Sequence, residues 1–295
     1  TFAGWNTAAN RSGTSFAVGD SITVTVPTTL FAMWNLTITF NGNTQTTGSV
    51  PSALTSNEHS FVTLPGNSGT LAKTGLIFTG WNTLTTGLGT HYEAGETFTS
   101  TTGNVTLFAE WTTACSPTTS YGNGDQLSTF GTVGKCAYVI PAGVTSIDFL
   151  TVGGGGGGGT NAGSGGGGGG IVYQTNVTVT PGQVLLIITG KGGSAGVNGD
   201  PSMITIGGVE YRGRGGALGP TYRSSGSATC TNGVFARPLG GVGTYANGGR
   251  GGNGSSAQYV QGCIGESGTA VSISGTSTLY GAGGGGGAYT ATAGL

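Results

Sequence analysis

Groups able to carry chemistry are few in this chain: two histidines, ten carboxylates and four cysteines among 295 residues. His59 falls beside a predicted strand and His91 in a turn before Tyr92. Neither has a partner spaced for general acid–base work, so both read as satisfied surface histidines. The acidic residues are scattered; Asp148 stands alone in a strand, and Asp200-Pro201 reads as a turn. There are no paired carboxylates, no G-x-S-x-G elbow and no metal-ligand cluster. The glycine tracts contain G-x-G-x-x-G by repetition, but strands flank them and no helix opens there, so a nucleotide site is not indicated. They also lack the regular Asp of the calcium-binding nonapeptide. This points to a protein that is not an enzyme and holds no cofactor or metal.

The cysteines speak for compartment. Cys115 and Cys136 bracket one segment, Cys230 and Cys263 another. No pair has C-x-x-C spacing and neither histidine lies near a cysteine, which argues against zinc. Disulfides imply an extracellular or cell-surface location. Four cysteines allow three connectivities, of which pairing between sequence neighbours is the expectation. Each bridge would remove roughly 3–4 kcal/mol of unfolded-chain entropy. Binding features lie further on: Tyr211, Arg212, Arg214, Tyr222, Arg223 and Tyr245 fall among glycine tracts. Loops of Tyr, Arg, Ser and Gly suit contact with cell-surface glycan or protein. Equally, the arginines could cap backbone carbonyls while the tyrosines cover a thin core.

Composition bounds the frame that must position these groups. Glycine supplies 65 residues, and only 6% are charged, against roughly 25% in ordinary soluble domains. A net charge of -1 gives no electrostatic purchase on nucleic acid or an anionic membrane. Eleven Phe, ten Tyr and four Trp supply enough aromatic area for small cores, so the reading is a folded, multi-domain, all-β protein. No apolar run reaches transmembrane length, so no membrane insertion is expected of this segment, and no signal peptide is expected within it. The chain opens at Thr1 inside a motif and is read as a fragment of something longer.

Residues 152–171 are almost all glycine, and Val144, Ile147, Phe149 and Val152 precede them while Ile171, Val172 and Tyr173 follow. Alone, such a tract is flexible linker. Clamped between apolar β-branched runs, and echoed by clusters at 190–199, 213–219, 240–254 and 281–287, it predicts a sheaf. Without Cβ atoms, polyproline-II-like segments can lie close enough to satisfy their backbone groups on one another. No strict Gly-X-Y period exists, so collagen is excluded.

The chain also repeats itself. Phe2-Ala3-Gly4-Trp5-Asn6-Thr7 returns as Phe78-Thr79-Gly80-Trp81-Asn82-Thr83, Gly19-Asp20 as Gly95-Glu96, and Leu30-Phe31-Ala32-Met33-Trp34 as Leu107-Phe108-Ala109-Glu110-Trp111. This pattern resembles the Listeria–Bacteroides repeat, the internalin B-type repeat, over residues 1–111. The resemblance implies small β-grasp-like spacers of bacterial surface and secreted proteins. Residues 138–295 are similar to the glycine-rich domains of bacterial surface proteins and phage tail adhesins, on Ile140-Pro141-Ala142-Gly143-Val144 and Val177-Thr178-Val179-Thr180-Pro181-Gly182-Gln183 with the tracts that follow each. The expected domains are 1–34, the back part of a repeat; 35–111, a complete repeat; 112–137, a disulfide-containing joint; and 138–295, the glycine-rich β domain.

Two functions fit: an assembled surface or fibre component whose partners are copies of itself or other surface proteins, or an adhesin or phage-type tip recognising glycan or protein. The first repeat lacks a counterpart of Leu36-Thr37-Ile38-Thr39-Phe40, so an apolar edge is expected around Phe2, Phe16 and Phe31. The glycine-rich domain lacks the closing strand that the resemblance implies. Omitted sequence is the favoured explanation, with strands donated by neighbouring molecules as the alternative.

Overall fold

A computed structural model describes residues 1–57, 60–99, 103–122, 125–159, 165–219, 245–246 and 267–283. The chain divides into two units, Thr1–Thr113 and Ala114–Leu295. Among the described residues all regular structure is strand, in line with an all-β fold.

The first unit holds β1 (Phe2–Asn6), β2 (Ser15–Phe16), β3 (Phe31–Asn41), β4 (Leu54–Asn57), β5 (Phe61–Thr63), β6 (Ile77–Asn82), β7 (His91–Tyr92), β8 (Thr97–Thr99) and β9 (Val105–Thr112). One sheet runs β2-β1-β3-β9-β6-β7, with β4 also on β3, while β5 pairs with β8. Matching sequences make matching pairs. Trp5 lies opposite Phe16 and Ala32, as Trp81 lies opposite Tyr92 and Ala109. In both places the register shifts just ahead of the glycine that precedes the tryptophan, between Phe2 and Gly4 (φ 127°) and between Phe78 and Gly80 (φ 140°). A Cβ at either would run into the carbonyl of Phe16 or Tyr92. The Gly-Trp pair is thus a bulge that brings two backbones together under the indole.

The boundary between the two repeats falls inside β3. Its first part pairs with β1 (Asn6↔Phe31 to Phe2↔Trp34), its middle with β4, and its last part lies parallel to β9 (Ile38↔Val105 to Asn41↔Phe108). Alternation along Leu36-Thr37-Ile38-Thr39-Phe40 sends Leu36, Ile38 and Phe40 inward. Ile38 and Phe40 join Leu64, Leu71, Trp81, Phe98, Leu107 and Ala109 in the core. Trp81 is wholly buried, 4.6 Å from Phe40 and 5.2 Å from Phe78, and donates Nε1–H to the Pro65 carbonyl at 2.7 Å. Its counterpart Trp5 keeps the edge-on contact with Phe2 (5.2 Å) but is 41% exposed. Phe2 and Phe31 are exposed as expected, and Phe16 is half-buried.

A polar network locks the second repeat where an apolar side chain serves the first. Asn82 donates to Glu110 Oε2 at 2.7 Å and accepts from the amides of Leu84 (2.9 Å) and Gly89 (3.1 Å). Asn6 accepts likewise from Ala8 and Gly13, but donates to Ser15 Oγ at 2.8 Å, and Met33 occupies the place of Glu110. His91 stands where Ser15 does, its Nδ1 2.9 Å from Glu110 Oε2. It is therefore not the surface histidine expected: Glu110 is 3% exposed and the imidazole covers it.

The second unit contains β10 (Thr118–Gly122), β11 (Asp125–Thr129), β12 (Gly134–Val139), β13 (Ser146–Val152), β14 (Ile171–Thr178), β15 (Val184–Thr189), β16 (Ser202–Ile206), β17 (Val209–Gly213), β18 (Tyr245–Ala246), β19 (Thr269–Val271) and β20 (Thr278–Tyr280). Sheets β12-β15-β16-β17 and β13-β14-β18 share a core of Ile140, Phe149, Val172, Val179, Leu185, Ile187, Ile204 and Ile206. Of the disulfide-containing joint expected at 112–137, the part from Ala114 onward falls within the second unit. Cys115 is bonded to Cys136 in β12, and its amide donates to the Ala137 carbonyl at 2.8 Å. Cys230 and Cys263 lie outside the described residues.

Two outcomes follow from these cores. E110M should destabilise the first unit by about 1–3 kcal/mol, because the carboxylate that accepts from Asn82 and meets His91 is gone. H91S added to it should recover part of the loss, by giving Asn82 the hydroxyl that Asn6 has; a urea-denaturation double-mutant cycle with strictly additive effects would refute the equivalence. Separately, C115S should weaken the second unit by about 3 kcal/mol and leave the first intact. Limited proteolysis that cuts both units equally would contradict that.

Candidate functional site

Between the strands of the second unit the glycine tracts form a lattice. Residues 153–159 leave β13, 165–170 lead into β14, 190–200 connect β15 to β16, and 214–219 follow β17. Gly153 and Gly156 donate to the carbonyls of Gly170 and Gly167 at 2.9 and 2.8 Å. Gly154 and Gly157 donate to Asp200 and Val197, both at 2.9 Å. In return, the carbonyls of Gly155 and Gly158 accept from Gly193 and Gly196, and those of Gly154 and Gly157 from Gly216 and Gly219. Outside this central tract, Gly167 and Gly170 donate to Ala217 and Arg214. Every partner changes in steps of three, the period of a polyproline-II turn, so each third residue faces the same neighbour. The expected sheaf is this lattice.

Close approach explains the residue type. A Cβ on Gly153 would strike the Arg214 carbonyl, on Gly154 that of Lys191, on Gly156 that of Ala217, and on Gly157 that of Ser194. None of these atoms is the movable end of a side chain. The polypeptide itself is the wall.

Of the residues named from sequence as ligand contacts, the described ones, Tyr211, Arg212 and Arg214, are not gathered into one site. Tyr211 packs edge-on against Phe149, ring centres 5.0 Å apart, at the rim of the core. Arg212 is exposed with its guanidinium 3.5 Å from Glu210. Arg214 lends its carbonyl to the lattice. Tyr222, Arg223 and the side chain of Tyr245 lie outside the described residues, as does His59. A cleft of about 590 Å³ in this unit is lined by Phe130, Tyr138, Phe149, Ile187 and Ile204 among others, with the Thr151 hydroxyl buried and unbonded. Asp148, also on its wall, accepts from the Asn176 amide at 2.7 Å. Burial lowers the Lys135 ammonium, and burial followed by the Glu96 charge raises the Tyr92 phenol. Among the described residues no three His, Cys, Asp or Glu side chains gather as a metal site requires. What sequence reasoning missed is the Asn82–His91–Glu110 network. Its signal was Glu110 standing where the first repeat has Met33, one charge inside an otherwise apolar motif.

Fold and lattice together define a strand-built protein whose distinctive surface is backbone. The chain belongs to the family described as glycine-rich domain, which matches residues 128–295. The Listeria-Bacteroides repeat domain matches residues 1–33 and 37–110 ahead of it. A "Putative Gly-rich membrane protein" of Evansella cellulosilytica is 38% identical over 123 residues, which is 37% of this chain and 14% of that protein. A "Putative membrane protein" of the same organism is 35% identical over 86 residues, covering 28% of this chain and 13% of its own. The chain thus spans about one seventh of the length of the curated relatives it matches. No solved structure matches. The repeat type and these names associate the relatives with membrane or surface, and among the described residues no helix is long and apolar enough to cross a membrane.

The lattice makes a sharp stability claim. Gly156→Val should lower the stability of the second unit by about 2–3 kcal/mol through overpacking. Gly42→Val should cost far less, since its added Cβ meets only the flexible end of Gln45. Equal melting temperatures for the two variants would remove the lattice from the account of stability.

Proposed function

We propose that this chain is a non-enzymatic, extracellular structural protein of a bacterial surface or fibre. The repeats hold out the glycine-rich domain, and that domain assembles with copies of itself. The observation that carries the reading is β3, which passes from one repeat to the next as a single strand. A tandem array joined in this way has no linker to bend at its joint.

The pairing of β3 with β9 supports a mechanical role. The strand entering the second repeat and the strand leaving it are parallel neighbours. Tension pulling back on β3 and forward on β9 therefore loads all their hydrogen bonds together in shear. Side chains reinforce the seam at both ends. The Thr37 amide donates to Asn104 Oδ1 at 2.9 Å, the Thr39 and Thr106 hydroxyls are 2.9 Å apart, and Trp111 Nε1–H reaches the Gly42 carbonyl at 3.0 Å. Non-enzymatic character agrees with the setting of His91, whose carboxylate partner also holds the turn after β6 through Asn82.

Single-molecule pulling of the full chain tests this. Held at its two ends, the second repeat should give way at a force several-fold above that needed when handles sit at positions 77 and 113. The latter geometry unzips the antiparallel pair β6–β9 one bond at a time, since Ile77 faces Thr112. Equal forces in the two geometries would defeat the spacer reading.

A further inference from the structure

Among the described residues, one side of the lattice is unfilled. Along residues 153–158, two of every three amides are bonded to neighbouring tracts, but those of Gly155 and Gly158 have no partner among the described residues and both residues are exposed. At three residues per turn and about 3.1 Å per residue, the two amides form a row with a spacing of roughly 9 Å. The carbonyls of the same two residues are already taken by Gly193 and Gly196. What is open is a line of donors.

At positions 155 and 192 glycine is not required by packing among the described residues. A Cβ on Gly155 would come no closer than 3.8 Å to the Gly167 carbonyl, and one on Gly192 no closer than 3.8 Å to the Gly155 carbonyl. Neither residue has a left-handed φ. Their neighbours Gly153, Gly154, Gly156 and Gly157 would all collide with backbone. Alanine at 155 or 192 would restrict the unfolded chain and so favour folding. Glycine there weakens the isolated molecule, and it returns something only if another backbone must come as near as those inside the lattice do.

We infer that this face is an assembly site, and that its occupant is an extended glycine tract of a second copy, whose carbonyls three residues apart accept from Gly155 and Gly158. The occupied sides of 153–159 identify the occupant, because each is covered by a tract of the same kind. Glycine at 155 and 192 leaves room for such a tract to approach as closely as those inside the lattice do. With 6% charged residues and a net charge of -1, copies meet with little repulsion. The inference rests on the assembly role proposed above and places that role on one face of the domain.

Sedimentation of the full chain across a concentration series, with Gly155→Val, Gly155→Ala and Gly192→Val alongside, provides the test. Wild type should associate as concentration rises. The variants should melt at or above the wild-type temperature and associate at least about tenfold more weakly. Gly155→Ala serves as the gentler probe should valine disturb the fold. Amide exchange at Gly155 and Gly158 should be fast in dilute protein and slow in the assembled form. Assembly that survives all three substitutions would overturn this site and keep the assembly role; a wild type monomeric at every concentration would overturn both, while the pulling experiment still judges the spacer. Protection of these two amides in the dilute monomer would also overturn the site, since the chain itself would then cover the face.

Discussion

The glycine-rich domain depends on backbone amides meeting backbone carbonyls at a distance that only hydrogen at Cα allows. In an ordinary core, apolar side chains fill the space between elements and hydrogen bonds stay within sheets. Here residues 153–159 take the central place, and the tracts around them supply both walls and partners. The lattice is ordered by the same rule that orders a sheet, namely that buried polar backbone must be paired. Its period of three distributes bonds around the axis, where the period of two would confine them to a plane. The entropic cost of fixing glycine, roughly 0.5–1 kcal/mol relative to alanine per residue, is of the same order as the net gain from one hydrogen bond. Such a lattice therefore leans on what surrounds it. Strands β13, β14, β15 and β16 hold the tracts by their ends, and the apolar core fixes those strands.

The first unit solves a different problem with conventional means. Alternating side chains on β3 and β9 bury Ile38, Leu107 and Ala109 completely, and Trp81 closes the layer over them. The glycine before each tryptophan bends the strand and lets the neighbouring backbone pass beneath. Using one strand for two repeats ties their registers together. A slip in either repeat would move all inward residues of β3 to the outer face, so each repeat enforces the alignment of the next.

Much of this was written into the residues. The repeated F-x-G-W-N-T and L-F-A-x-W motifs announced two equivalent strand sets, because identical side chains at identical spacing satisfy the same pleat. Apolar β-branched runs around the glycines announced that the tracts are clamped. Cys115 and Cys136, close in sequence and alone in their stretch, paired as expected. Other features had no local signature. His91 looked like a turn histidine since its acceptor, Glu110, is distant in sequence and comes alongside only when β9 pairs with β6. Tyr211 and Arg212 looked alike as candidate contacts, yet alternation on β17 turns one ring to Phe149 and leaves the other side chain beside Glu210.

Sequence alone determined the strand class, the tandem repeat and the glycine-only spacing, because each is a property of residue type and period. Which tract lies beside which was decided by tertiary structure. Glycines are interchangeable and carry no register mark, so the lattice takes its alignment from the strands that enter and leave it. The same holds for the distinction between Gly156, enclosed on its carbonyl neighbours, and Gly155, one residue away and open. Nothing in a run of identical residues separates the two. Their difference arises from a three-residue turn set against a particular arrangement of neighbours, which exists only once the chain has folded.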